Sequence, residues 1–219
     1  MRRAKLARAA AAGPLREYYC APAPVVTTEC CHQEFLSVDL ETTGLNAKTD
    51  LILSIGWVLV RDCTVDLSQR GHLLVKQACE INAASAVIHG IFDDRLAQGI
   101  PLQSALEQFL PLLAGRVMIA HHSHIETSFL SAACRQVYGA PLNVLCADTL
   151  LMEKRFFDKK GQVPRKGELR LDAVRQRYNL PRYRAHNAMV DAVSAAELFL
   201  AQLQYRTGNG TLSIRDVAS

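Results

Sequence analysis

Two hydrophobic periods divide the chain. Residues 34–40, 51–61 and 64–75 are apolar, rich in β-branched side chains and separated by short polar turns, and read as three strands. The link Thr43-Gly44-Leu45-Asn46-Ala47-Lys48-Thr49-Asp50 has turn composition. Connections this short exclude crossovers, so the three strands form an antiparallel meander. From Ile100 the period lengthens: Leu102, Leu106, Phe109, Leu110 and Leu113 predict a helix ending at Gly115. Val117-Met118-Ile119-Ala120 is short, apolar and set between helical patterns, the signature of a buried parallel strand. A helix follows over 124–138 with Ile125, Phe129, Leu130 and Ala133 inward, then a second buried strand, Val144-Leu145-Cys146-Ala147, ending at Asp148-Thr149. A polar loop over 157–168, a helix over 171–178 and a long helix over 188–204 complete the pattern. Strands first, then alternating helix and strand, predict an α/β fold: a mixed sheet, meander plus parallel strands, flanked by helices.

The ends differ from this body. Residues 1–19 carry five Lys or Arg against Glu17 alone, and Ala21-Pro22-Ala23-Pro24 cannot continue a helix. Residues 1–30 therefore read as a flexible or loosely helical basic extension with a linker, 31–207 as the folded domain, and 208–219 as a loose tail. Arg and Ala without acids at the extreme N-terminus also resemble, faintly, an organelle transit peptide. No run reaches the roughly 18 apolar residues of a membrane span, so a membrane partner is not expected. Seven cysteines lie without CxxC spacing, which reads as reduced thiols in a cytoplasmic protein with no disulfide.

The chemistry concentrates in Asp39-Leu40-Glu41-Thr42-Thr43-Gly44 at the end of the first strand. Side chains two apart in a strand share a face, so Asp39 and Glu41 repel each other and lose hydration together. Hard oxygen ligands of this kind suit magnesium or manganese; an exposed edge salt-bridged to lysines is the alternative. Two later segments bear on the choice. Ala120-His121-His122-Ser123-His124-Ile125-Glu126 joins the end of a buried strand to a helix start, and Glu126 in that first turn can reach a shared site or merely suit the helix dipole. His186-Asn187-Ala188-Met189-Val190-Asp191 opens the last helix, supplying a general-base candidate in His186 and a further carboxylate in Asp191. The His121, His122 and His124 spacing does not converge on zinc. Residues 154–184 hold eleven Lys or Arg against three acids, and a polyanion is their natural partner, with Arg182 and Arg184 nearest the histidine.

The order Asp-x-Glu-Thr-Thr-Gly, Ala-His-x-x-x-x-acid, His-x-x-x-x-Asp resembles the three motifs of the DEDD superfamily of 3′–5′ exonucleases, histidine subtype. That group includes the epsilon proofreading subunit of bacterial DNA polymerase III and ribonuclease T. The resemblance runs from about Phe35 to Leu203, and Ser54-Ile55-Gly56, Val87-Ile88-His89-Gly90-Ile91 and Cys146-Ala147-Asp148-Thr149-Leu150 add to it. It implies a ribonuclease-H-like fold and hydrolysis of DNA or RNA from the 3′ end to nucleoside 5′-monophosphates. It further implies two divalent cations, Mg²⁺ or Mn²⁺, held by Asp39, Glu41 and Asp191 with Glu126 assisting, and His186 as the base that activates water. Thr42, Thr43 and Leu45 match positions that meet the terminal nucleotide, and His89 and His121 match positions near the substrate. Glu126 departs from the pattern, which has Asp there. A nucleic-acid-binding or polymerase-associated module with a weakened site is the alternative reading. No clamp-binding pentapeptide or long extension follows to Ser219, which favours a stand-alone nuclease over a polymerase subunit.

Overall fold

The computed structural model describes residues 2–76, 98–184, 186–207 and 210–218. Five strands form one sheet: β1 (Phe35–Thr42), β2 (Ile52–Arg61), β3 (Thr64–Leu74), β4 (Val117–Ala120) and β5 (Cys146–Asp148), in the order β3-β2-β1-β4-β5. β1, β2 and β3 are the antiparallel meander, while β4 runs parallel to β1 and β5 parallel to β4. Around the sheet lie α1 (Arg2–Ala9), α2 (Pro14–Cys20), α3 (Leu102–Leu113), α4 (His124–Tyr138), α5 (Thr149–Lys159), α6 (Leu171–Arg177), α7 (Ala188–Thr207) and α8 (Ile214–Val217). The second buried strand begins at Cys146 and takes in Asp148, because Asp148 both ends β5 and caps α5.

Alternation along β1 decides what each face of the sheet carries. Leu36, Val38 and Leu40 join Leu106, Phe109, Phe129 and Leu130 in one core under α3 and α4. Phe35 faces the other way and packs on Phe199 of α7, ring centroids 4.9 Å apart, in a second core with Val58, Ala195 and Met152. Burying such a phenylalanine contributes about 1.5–3 kcal/mol. On this α7 face the strand then changes character: after Phe35 come Ser37, Asp39 and Glu41. Ser37 Oγ donates to the Ala192 carbonyl at 2.7 Å, so polar anchoring replaces apolar packing as the strand approaches its carboxyl end.

Gly56, opposite Asp39 in the β1–β2 register, brings α7 close. A Cβ there would stand 2.1 Å from the Ala188 carbonyl carbon and 2.2 Å from the Met189 nitrogen. Only glycine allows this helix start to rest on β2.

Both chain ends depart from the loose segments expected of them. Leu15, Tyr18 and Tyr19 are buried in the first core, and the tyrosine hydroxyls donate to the Asn143 and Pro141 carbonyls at 3.0 and 2.6 Å. Arg3 lies over both rings and donates to the Tyr18 and Ala21 carbonyls. Part of the basic charge thus serves docking. Near the C-terminus, Ile214 and Val217 are fully buried, and Ser213 and Asp216 form a capping box. These apolar side chains sit at helical spacing, but each stripe is a single turn long, too short to register as a periodic segment.

The expectation of no disulfide is corrected. Cys31 and Cys63 are bonded, with Cα atoms 4.9 Å apart. The β2–β3 turn, where Asp62 and Cys63 both take positive φ, presents Cys63 beside the short turn Cys30–His32 that leads into β1. The two cysteines are neighbours only through the sheet register, which no local spacing encodes. Cys20, Cys30, Cys134 and Cys146 are not in a disulfide. The cytoplasmic expectation rested on uniformly reduced thiols, and this bond removes that support. Among the described residues no helix is long and apolar enough to cross a membrane.

Candidate active site

Asp39 and Glu41 come from the end of β1, and Asp191 from the first turn of α7. One carboxylate oxygen from each lies within 4.8 Å of the others. Among the described residues, this is the group of acids and histidines so arranged. Ser37, Gly56 and the cap at Asn187, whose Oδ1 accepts from Val190 N–H at 3.2 Å, together fix α7 over β1. His186 precedes that cap with φ 68°, a strained backbone for a non-glycine residue. Its backbone N–H donates to Asp191 Oδ2 at 2.9 Å, while its side chain is exposed at the mouth of the site.

The motif around Glu126 is held by a residue that the sequence reading assigned no role. Asp148 Oδ2 accepts from the backbone and hydroxyl of Ser123 at 2.8 and 2.9 Å, and Oδ1 accepts from His122 N–H at 3.1 Å. The same carboxylate caps α5 through Leu150 and Leu151 N–H. The signal was available, since an Asp ending a strand and preceding a helix marks an N-cap. His122 there takes φ 75°. Glu126 is 4 % exposed, and its Oε2 is buried without a hydrogen-bond partner. It stands beside the three-oxygen group rather than within it, yet its charge is the strongest of the neighbouring acids acting on Asp39.

Every acid here is held away from its ordinary titration. Burial, then Glu126, Asp191 and Glu41, push the Asp39 carboxyl well above the usual range. Burial and Asp191 push Glu41 up to about 7, and burial with Asp148 pushes Glu126 up to about 8. Burial raises Asp191 too, offset by the His186 N–H. Convergent hard oxygens, mutual repulsion and an orphaned buried carboxylate oxygen all fit a divalent cation, which would reverse these shifts.

Glu126 therefore links pH to stability. The folded protein holds this proton up to about pH 8, whereas an unfolded glutamate releases it near 4.5. The stabilising contribution is complete below pH 4.5 and is lost as pH rises through 8. Without metal, Glu126→Gln is expected to raise the melting temperature at pH 9 by roughly 5 °C and to leave it unchanged at pH 4, as read by calorimetry in EDTA. An equal gain at both pH values would sink the assignment.

The remaining expected contacts divide. Thr42 Oγ1 donates to the Gly44 carbonyl at 2.6 Å and Thr43 Oγ1 accepts from Leu51 N–H at 2.9 Å, so both hydroxyls build the turn after β1. Leu45 at its tip is 80 % exposed. The His121 ring nitrogens meet Thr149 Oγ1 and the Leu169 carbonyl, both at 2.8 Å. This histidine ties β4 to α5 and to the loop before α6, and burial lowers its basicity. Arg182 and Arg184 are exposed. The basic block is less free than its charge implied, because Arg175 pairs with Glu197 and Arg177 with Glu153. Arg175 also donates to the Ser194 and Pro181 carbonyls, clamping the run toward His186 onto α7. His89 lies outside the described residues.

Known proteins resemble this arrangement. The DNA polymerase III PolC-type protein of Thermotoga petrophila is 27% identical over 183 residues, which are 84% of this chain and 13% of that protein. The DNA polymerase III subunit epsilon of Treponema pallidum is 28% identical over 177 residues, 80% of this chain and 78% of that one. The chain thus spans a small part of the PolC-type relatives and most of the epsilon subunit. Among solved structures, the nuclease domain of 3′hExo, a DEDDh family member bound to rAMP, superposes with TM-score 0.68 at 14% identity, covering 82% of this chain and 96% of that one. Exonuclease I gives TM-score 0.69 at 15% identity over 84% of this chain and 42% of its own. The fold is the ribonuclease-H-like one these exonucleases share. A family model described as Exonuclease, RNase_T, matches residues 36–199, from the β1 core through the helix that delivers Asp191, and the chain belongs to that exonuclease family.

Proposed function

We propose that the protein is a metal-dependent 3′–5′ exonuclease acting on single-stranded DNA, with RNA as a second substrate, and releasing nucleoside 5′-monophosphates. The observation that carries this reading is the convergence of Asp39, Glu41 and Asp191 oxygens within 4.8 Å at the carboxyl end of β1. Two Mg²⁺ or Mn²⁺ ions held there, with Glu126 alongside, would acidify a water and stabilise the departing 3′-oxygen. His186, exposed at the mouth, accepts the proton of the attacking water, and its backbone N–H keeps Asp191 aimed inward. The water oxygen bonds to phosphorus, the P–O3′ bond breaks, and the 3′-oxygen takes up a proton. Leu45 offers an exposed apolar surface to the terminal base, positioned by the turn that Thr42 and Thr43 build.

The test is hydrolysis of 5′-labelled single-stranded DNA and RNA in Mg²⁺ or Mn²⁺. A ladder shortening from the 3′ end is expected; no shortening in either metal with intact binding would sink the reading. Arg182 and Arg184, exposed on the run leading to His186, meet the phosphate backbone. Reversing both charges is expected to weaken oligonucleotide binding at least about tenfold and reduce the salt slope by about 2. An unchanged slope would return them to a solvated surface.

A module with a weakened site is favoured by one observation, that Glu126 stands outside the convergent group. Glu126→Asp separates the two: unchanged or lower turnover supports a working site, and a tenfold gain marks a compromised one. The likeness to polymerase III relatives supports association with a DNA polymerase, read by co-purification, and a cytoplasmic setting.

A further inference from the structure

α5 and α7 both start at the carboxylate site and run away from it. Near their far ends lies a cavity of about 350 Å³, lined by Phe156, Lys159, Tyr205, Arg206, Leu212 and Asp216. Nothing in the reaction above uses it. Arg206 is one of its lining cations, and its Nη1 is buried with no hydrogen-bond partner among the described residues. Tyr205 is 63 % exposed, yet it is braced by T-shaped pairs with Phe156 and Tyr178 at 5.7 and 5.8 Å. An aromatic ring fixed in place and open to solvent is a ready stacking surface. The Lys160 ammonium adds charge 4.1 Å above the Phe156 ring. One acid, Asp216, opposes these cations; it accepts from the Ser213 backbone and hydroxyl at 2.8 and 2.7 Å, and Arg215 and Arg206 also stabilise its charge.

A lining guanidinium, neighbouring lysines and an exposed aromatic ring together suit a phosphate and its adjacent base. We propose that this cavity is a second contact for single-stranded nucleic acid, holding a nucleotide upstream of the end being cleaved. The substrate class rests on the exonuclease reading; the cavity chemistry stands apart from it. Asp191 and Arg206 share α7, and at about 1.5 Å per residue they lie about 22 Å apart along its axis. At about 3.4 Å per stacked nucleotide that span is about six nucleotides, within the roughly 4–16 that a single-strand-binding fold covers. Exposed Lys154 on α5 lies between the two sites. A trinucleotide fills the carboxylate site alone, whereas a 16-nucleotide strand reaches both.

Binding of a labelled 16-nucleotide DNA strand is measured by anisotropy on the cleavage-incompetent Asp39→Asn protein, and hydrolysis of a trinucleotide on the otherwise wild-type enzyme. Tyr205→Ala and Lys159→Glu, both at exposed positions, are each expected to weaken binding of the long strand at least about tenfold. Trinucleotide hydrolysis should be unchanged, and Tyr205→Phe should bind as the parent does. Equal affinity in all variants would overturn the site and leave the cavity to a protein partner. Loss with Lys159→Glu alone would overturn it too, reducing it to diffuse charge. If wild type cleaves nothing while Tyr205→Ala still lowers affinity, the exonuclease reading fails and this site stands. If wild type cleaves while the variants bind with unaltered affinity, the exonuclease reading stands and this site fails.

Discussion

Asp39→Asn should abolish turnover, lowering kcat on single-stranded DNA at least about 10³-fold, without lowering the melting temperature of the metal-free protein. The activity loss follows from position. Asp39 is where burial and three other acids converge, so its charge is worth having only when a cation sits among them. Removing one ligand of such a centre forfeits several kcal/mol of transition-state stabilisation, and about 4 kcal/mol is a thousandfold in rate. The stability result follows from the same observation with the sign reversed. A carboxyl held well above its usual range disfavours the folded state once ionised, so a neutral amide of equal size relieves the cost. Activity assays and calorimetry on one preparation read both effects. A lowered melting temperature with matching loss of activity would mean that Asp39 is structural, and residual activity above a tenth of wild type would remove it from the reaction.

How much of this was legible in the sequence follows from the range of each signal. The meander, the buried strand at Val117–Ala120 and the helices expected over 102–113, 124–138 and 188–204 come from periodicity, which is local, and these elements lie within a few residues of their expected bounds. The helix Thr149–Lys159, by contrast, was not expected and overlaps the predicted polar loop. The Asp39 and Glu41 pair was legible for the same reason: two acids on one face of an apolar strand are anomalous wherever the strand is placed. What escaped was set by register and by packing between distant segments. Cys31 and Cys63 meet because β1 and β2 pair with Phe35 opposite Val60. Tyr18 and Tyr19 dock because the loop before β5 offers the carbonyls of Pro141 and Asn143. In a basic, alanine-rich segment followed by prolines, Leu15, Tyr18 and Tyr19 make a stripe of only one turn, too short to signal burial beforehand. His121 shows structural ties that the sequence did not reveal. Both of its ring nitrogens are engaged by Thr149 and the Leu169 carbonyl, partners 28 and 48 residues away that no motif encodes. The basic block overstated free charge because Glu153 and Glu197, partners to Arg177 and Arg175, lie outside the window in which it was counted.

Gly56→Ala is expected to cost about 2–4 kcal/mol of stability and, in the protein that still folds, at least about tenfold in kcat. The added Cβ would lie 2.1 to 2.4 Å from backbone atoms of Ala188 and Met189, none of which can swing aside as a side chain does. The strain is relieved only if α7 lifts from β2 by about 1 Å, and overpacking of that kind commonly costs 1–3 kcal/mol or more. α7 also carries Asp191, and Ser37 holds that helix through the Ala192 carbonyl. A lift therefore drags one carboxylate away from Asp39 and Glu41, and displacements of about 1 Å at a reacting centre cost up to roughly a hundredfold. Gly71→Ala is the control. Its Cβ would meet Trp57 Cζ2 at 2.1 Å, a side-chain ring that can rotate, on β3 rather than against the helix. It should lose stability and keep kcat per folded molecule. If Gly56→Ala melts lower but turns over like wild type at a temperature where both are folded, the seat of α7 on β2 supports the fold alone, and the placement of Asp191 rests on Ser37 and the Asn187 cap.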